Sequence, residues 1–188
     1  MSARDCASQP LLLGIGDPPV VLRAERERDA AFLADLFRTA AGRDVALMPI
    51  DDALKDQLIR MQFESQTATY RSQFPAARFD IIEQGGVPIG RIVIDHGTEV
   101  GRIVDIALMP GQRGRGLGTA ILAAVTERFA RRRQRIRCEV FVGNEPSLRM
   151  FRRAGFRQVG EAPPFLHLEW QPPLEPPDAN RPYSFGGG

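Results

Sequence analysis

The chain of 188 residues is 43% hydrophobic and 26% charged, which suits one domain with a real core. That balance excludes wholesale disorder, and Gly and Pro occur without the period of a collagen-like repeat. A net charge of +2 is too small to argue for a nucleic-acid partner. No apolar run approaches the ~18–20 residues that span a bilayer, so no membrane partner is expected. The segment "PLLLGIGDPP" is shorter than a signal-peptide core and is preceded by acidic Asp5, so a cytoplasmic location is expected. Cys6 and Cys138, the two cysteines, cannot build a disulfide framework or a zinc cage, and read as free thiols with no metal. Lys55 is the sole lysine among 25 basic residues, a composition that fits a GC-rich coding bias.

In chain order, residues 1–18 read as an N-terminal tail and the folded unit as 19–170. Val20 to Ala24 is a strand. Residues 29–41 form a helix with Phe32, Leu33, Leu36, Phe37 and Ala40 on one face and Gly42 as its stop. Asp51 or Asp52 caps a second helix of about 20 residues, which runs through Leu54, Leu58 and Met61 and ends before Pro75. The period then shortens to two. "RFDIIEQ", "VPIGRIVID" and "GRIVDIAL", separated by glycine turns, predict an antiparallel meander. A helix from Arg115 to Arg131 carries Leu117, Ile121, Val125 and Phe129 at four-residue spacing. "IRCEVFV" is a strand. "NEPSLRMFRRAGF" is a short helix capped by Asn144, with Pro146 in its first turn and Gly155 past its end. Strands near 157–161 and 165–170 follow. Residues 171–188, rich in Pro and Gly, read as a C-terminal tail. The order β-α-α-β-β-β-α-β-α-β-β describes an α/β fold, a mixed sheet with helices on both faces.

The informative stretch is "LMPGQRGRGLGT", residues 108–119, between a strand end and a helix start. Gly114, Gly116 and Gly118 allow a tight turn. The first helical N–H groups then point outward at the positive end of a dipole, which suits phosphate or pyrophosphate. Arg113 and Arg115 add charge-assisted contacts. A Walker loop is disfavoured because Gly116 is followed by Leu117 and Gly118, not by Lys and Ser or Thr. A dinucleotide fingerprint is disfavoured because the spacing is G-x-G-x-G, with Thr119 where the last glycine would fall.

"QRGRGLG" resembles the acyl-CoA pyrophosphate loop of the GNAT N-acetyltransferase superfamily. "NEPSLRMFRRAGF" resembles that superfamily's second signature, with Asn144, Phe151, Gly155 and Phe156 in place. The element order over residues 19–170 is also that of GNAT folds. The resemblance implies acetyl-CoA as cosubstrate, held by Leu108, Met109, Pro110, Arg113, Gly114, Arg115, Gly116, Leu117, Gly118, Thr119, Asn144 and Phe151. It implies a bulged strand before the loop, a sheet that splays between that strand and "IRCEVFV", and a Leu108 N–H aimed at the thioester oxygen. It further implies direct attack by a primary amine on the acetyl carbonyl.

For the base, Glu139 resembles the glutamate of "LEV…N" in the ribosomal-protein alanine N-acetyltransferases; a plain strand carboxylate paired with Arg135 or Arg137 is the competing reading. Asp105 is the second candidate. Family members commonly carry Tyr at the position of Phe151, where its phenol protonates the departing thiolate. Phenylalanine leaves that role to solvent or to another hydroxyl such as Tyr70. His96 and His167 read as a turn and a strand histidine without a catalytic role. The acceptor, a small-molecule amine or a peptide α-amine, is expected against residues 42–56, where Asp44, Asp51 and Asp52 stand, and against loop 160–166. The arginines at 128, 131, 132, 133, 135 and 137 suit a helix C-terminus and lack interleaved aromatics, which disfavours nucleic acid. A homodimer stays open. Two functions remain: an N-acetyltransferase, and a GNAT-fold acyl-CoA-binding protein with little catalysis.

Overall fold

The computed structural model describes residues 10–46 and 48–173. Residues 1–9 of the expected N-terminal tail, with Cys6, and residues 174–188 of the C-terminal one lie outside the described residues. The strands are β1 (Leu11–Leu12), β2 (Val20–Ala24), β3 (Arg78–Gln84), β4 (Val87–Asp95), β5 (Val100–Leu108), β6 (Arg135–Phe141), β7 (Arg157–Ala162) and β8 (Phe165–Trp170). The helices are α1 (Ala30–Ala46), α2 (Asp52–Gln73), α3 (Leu117–Arg131) and α4 (Glu145–Arg153). The strands form one eight-stranded sheet in the order β1-β2-β3-β4-β5-β6-β8-β7. Every pairing is antiparallel except the parallel contact of β5 with β6.

Two expectations change. β1 lies inside the segment read as a tail. Leu11, Leu13 and Ile15 alternate and pack against the core, while backbone bonds join Leu13 to Val20 and Val20 to Ile15. The neighbouring Gly and Pro obscured that two-residue period. α1 also runs past Gly42 to Ala46. An interior glycine costs about 1 kcal/mol relative to alanine, less than the ~1.5–3 kcal/mol of burying a side chain such as Val45, which is 2% exposed.

α3 and α4 pack on one face of the sheet over a cluster that includes Ile92, Ile103, Leu108, Ile121, Leu122, Ile136, Leu148 and Leu168. α1 and α2 lie on the other face, against β4 and β5. Asp51 caps α2 by accepting the Leu54 N–H at 2.9 Å, and Asn144 caps α4 by accepting the Ser147 N–H at 3.2 Å. Gly101 of β5 leaves room for the Phe129 ring, and a Cβ built there would overlap that ring. Gly101→Ala is therefore expected to cost about 1–3 kcal/mol through overpacking, read as a lower melting temperature.

A buried ion network ties β2 to the start of α1. The Arg23 guanidinium donates to both Asp29 oxygens at 2.7 and 2.8 Å and to Glu83 at 2.6 Å. The bond from Arg23 holds the Asp29 carboxyl below its ordinary 3.8. A depressed carboxylate contributes stability that is full above its unfolded value and lost as pH falls through its folded value. Stability is thus expected to decline as pH drops below about 3.8, and Asp29→Asn should flatten that part of the curve. Urea melts between pH 2 and 6 check it.

Candidate active site

Pairing of β5 with β6 is confined to Val100–Ile103 against Arg135–Cys138. Beyond it, β5 continues to Leu108 against β4 alone, and β6 continues to Phe141 against β8 alone. The sheet therefore opens from its middle. The cause is local. Val93 faces Asp105 and Ile94 faces Ile103, which leaves Val104 as an extra residue in β5. Such a bulge bends the strand and shifts its alternation by one. Ile103 and Ile106 both face the α3/α4 core, and Asp105 and Ala107 line a pocket beneath α1 and α2.

The backbone at the end of β5 follows from the ladder. The Met109 N–H donates to the Ile89 carbonyl at 2.9 Å. Alternate residues of an antiparallel strand turn their polar groups to opposite edges. Leu108 thus turns its N–H and C=O away from β4, toward the gap that β6 has left. Its carbonyl accepts the Arg113 Nε–H at 2.7 Å, and Arg113 Nη2 reaches Thr39 of α1 at 3.3 Å. Arg113, expected on the pyrophosphate, is folded back over the strand end. Arg115 is exposed.

Pro110–Gln112 make a short turn and lead into the glycines. Gly116 is the N-cap of α3 with φ +79°, a left-handed conformation that side chains disfavour. A Cβ at Gly114 or Gly116 would meet nothing within 4 Å, so their surroundings are open. Gly118 differs: its Cβ would lie 2.5 Å from the Met150 sulfur. The absence of a side chain there lets the first turn of α3 approach α4. Leu117 and Thr119 flank it, half-buried.

Phe151, expected with its ring toward the cleft, is 4% exposed and packs edge-to-face on Phe156 at 5.1 Å. It stands three residues after Leu148, so both lie on the inward face of α4. Asn144 uses its side-chain oxygen as the helix cap.

The two carboxylates separate clearly. Glu139 is exposed and accepts from Arg102 Nη1 at 2.8 Å, not from Arg135 or Arg137. Those two arginines pair with Glu169. Asp105 accepts from Arg91 Nε at 3.0 Å and Nη2 at 2.6 Å, both on Oδ2. Arg91 also contacts Gln66 at 3.3 Å and lies over the Phe63 ring. The pocket around the pair has a volume of about 140 Å³ and is lined further by Leu33, Leu36, Phe37 and Phe63. Tyr70 stands near it: burial and then the Asp105 charge push its phenol up to about 12.

The segment 42–56 does not supply this lining. Asp51 is a cap, Asp52 pairs with Lys55, and the Asp44 side chain lies outside the described set. Sequence reasoning missed Arg91, Gln66 and Phe63. One signal was present, an arginine in the middle of the apolar run "VPIGRIVID". His96 stacks on Phe129 at 5.4 Å, and burial lowers its pKa. Burial also pushes the Cys138 thiol up to about 12, so it stays protonated and unreactive. Among the described residues, no group of three or more His, Cys, Asp or Glu is placed to hold a metal, and no helix is long and apolar enough to cross a membrane.

The chain matches the model of the Acetyltransferase (GNAT) family over residues 48–156. It is 33% identical over 89 residues to an uncharacterised N-acetyltransferase of Methanocaldococcus jannaschii, covering 43% of this chain; it spans 39% of that relative's length. Its fold is similar to that of the PaiA N-acetyltransferase of Thermoplasma acidophilum in complex with coenzyme A, with a TM-score of 0.61 at 15% identity, covering 81% of this chain and 98% of the other. An acetyltransferase of Thermus thermophilus aligns with a TM-score of 0.57 at 22% identity, covering 81% and 96%. The splayed mixed sheet, the glycine turn at the end of its central strand and the family match agree: this chain belongs to the GNAT acetyltransferase family.

Proposed function

We propose that the chain is an acetyl-CoA-dependent N-acetyltransferase, carried by the unit of residues 19–170 with β1 added to its edge. The reading rests on one conjunction: the strand opening and the bulge fall on β5 near Val104, and the glycine turn follows its end, running into α3 at Gly116. In this reading the acyl arm lies along β5 in the gap. The pyrophosphate meets the open glycine turn at the positive end of α3. Residues 108–110 and 113–119 supply the cofactor surface; Asn144, at the start of α4, is the further contact the resemblance implies, while Phe151 packs in the core beneath that helix. Arg113 leaves the Leu108 carbonyl as the arm enters.

An amine entering from the α1/α2 face attacks the acetyl carbonyl directly. The carbon–nitrogen bond forms, the carbon–sulfur bond breaks, and the thiolate leaves. The Leu108 N–H is the donor for the developing oxyanion, a role worth about 3–4 kcal/mol. Asp105 is favoured over Glu139 as base because it lines the pocket while Glu139 is held outside it by Arg102. Tyr70 keeps its proton at working pH, and a phenol raised so far above a thiol is a weak donor to the leaving thiolate, so solvent is favoured for the role that Phe151 cannot fill. Thiol release from acetyl-CoA with a panel of amines tests the reading, and amine-dependent release is expected. Cofactor binding without it would favour an acyl-CoA-binding protein, the alternative that Phe151 supports.

A further inference from the structure

The pocket beneath α1 and α2 offers more than an amine requires. Asp105 gives Arg91 only Oδ2, and its Oδ1 takes no hydrogen bond among the described residues. Arg91 is 4% exposed, and its Nη1 is buried without an acceptor. A buried charged N–H group with no partner is rare in folded proteins. Nη1 has no surface open to the pocket as it stands, but the Arg91 side chain lines that pocket, and a turn of the guanidinium would bring an N–H to a ligand oxygen. The charges of Arg91 and Asp105 offset each other, so the pocket does not favour a polycation. The remaining lining is apolar: Leu33, Leu36, Phe37, Phe63 and Ala107. Its volume, about 140 Å³, suits one aliphatic side chain.

These demands are an acceptor for an amine, a donor for an oxygen close beside it, and a chamber for one apolar group. An α-aminoacyl group meets all three. We propose that the acceptor is an α-aminoacyl group with a compact apolar side chain, its amine at Asp105 Oδ1 and its carbonyl oxygen accepting from the Arg91 guanidinium, which turns to meet it. The proposal rests on the N-acetyltransferase reading for its chemistry. The amine proton passes to Asp105, the acetyl group joins the α-nitrogen, and CoA leaves as thiolate and takes any proton from water. An α-amine titrates near 8 and a lysine amine near 10.4, so the α-amine reacts with less deprotonation to supply.

The test compares leucine amide with isopentylamine, which keeps the amine and side chain but lacks the carbonyl, and with glycine amide and spermidine. Turnover is expressed per unprotonated amine, and binding is measured separately by calorimetry in the presence of CoA. Leucine amide is expected to exceed isopentylamine and glycine amide by about tenfold or more in both readouts, as for a charge-assisted bond and a buried side chain. Free leucine and the peptide Leu-Ala-Ala separate the two sources, a free amino acid and a peptide N-terminus. Arg91→Lys should bring the leucine amide to isopentylamine ratio toward one. Equal use of the two amines, preference for spermidine, or an unchanged ratio in folded Arg91→Lys would overturn the proposal. If Arg91→Lys does not fold, the ligand comparison still decides. Acetylation without preference would leave the enzyme reading intact and sink this one. Selective binding of leucine amide without any acetylation would do the reverse.

Discussion

Asp105→Asn is expected to lower kcat/KM for amine acetylation by about 10²–10⁴-fold, the range for a lost general base, while acetyl-CoA affinity stays nearly unchanged. The expectation comes from the bulge. By adding Val104, β5 turns Asp105 onto the face where the pocket opens, while Ile103 and Ile106 stay in the core. Asparagine keeps the shape and an acceptor for Arg91 but cannot take a proton. It also leaves the Arg91 charge without its counter-ion. Removing one partner of a buried pair costs about 3–5 kcal/mol at worst, so a melting curve must accompany the kinetics. Loss of rate in a folded variant is the expected result. Glu139→Gln should change rates by no more than a few-fold, because its pair with Arg102 is solvated and such pairs contribute about 0–1 kcal/mol. A collapse in Glu139→Gln with normal rates in Asp105→Asn would reverse the assignment.

Acetyl-CoA at one hundred times its Kd should stabilise the native state by about 2.7 kcal/mol, or roughly 5–10 °C in melting temperature for a chain of this length. NAD and ATP should give much less, since neither offers an arm to the open edge of β5. Gly116→Asp should abolish the shift. It places a side chain on a residue with φ +79° and a negative charge where a pyrophosphate would lie. Gly116→Ala separates the two effects, because it brings only the conformational strain of about 1–2 kcal/mol. A carboxylate at a helix N-terminus suits the dipole, so the charge itself should not unfold α3. No shift from acetyl-CoA, or equal shifts from all three nucleotides, would remove the cofactor assignment.

Much of the fold was legible because its signals are short in range. The meander of β3, β4 and β5 shows in two-residue alternation, and α3 in four-residue spacing. The cap of α4 shows in Asn144 and its end in Gly155. Where local signals conflicted with packing, packing won. Gly42 reads as a stop, yet α1 continues because Val45 is buried. Leu11 reads as tail, yet it pairs with Leu22 because the core accepts its side chain.

The site divides along the same line. The glycine turn and the Asn144 segment are each contiguous in the chain, so the sequence by itself determined the family, the element order over residues 19–170 and the strand end at which the cofactor is proposed to bind. Which carboxylate shares a pocket with the amine was decided only in three dimensions. A one-residue bulge leaves no mark in a strand's own composition; it exists only against a partner, here β4. The same bulge coincides with the end of β5–β6 pairing and turns Asp105 toward Arg91. Arg91 and Asp105 are fourteen residues apart and meet because β4 and β5 are antiparallel neighbours. Glu139, the carboxylate that the resemblance put first, went instead to Arg102 across the parallel junction. Local chemistry set the elements and the turn. Register, which depends on pairs of strands and on the helices packed over them, set the proposed reaction centre.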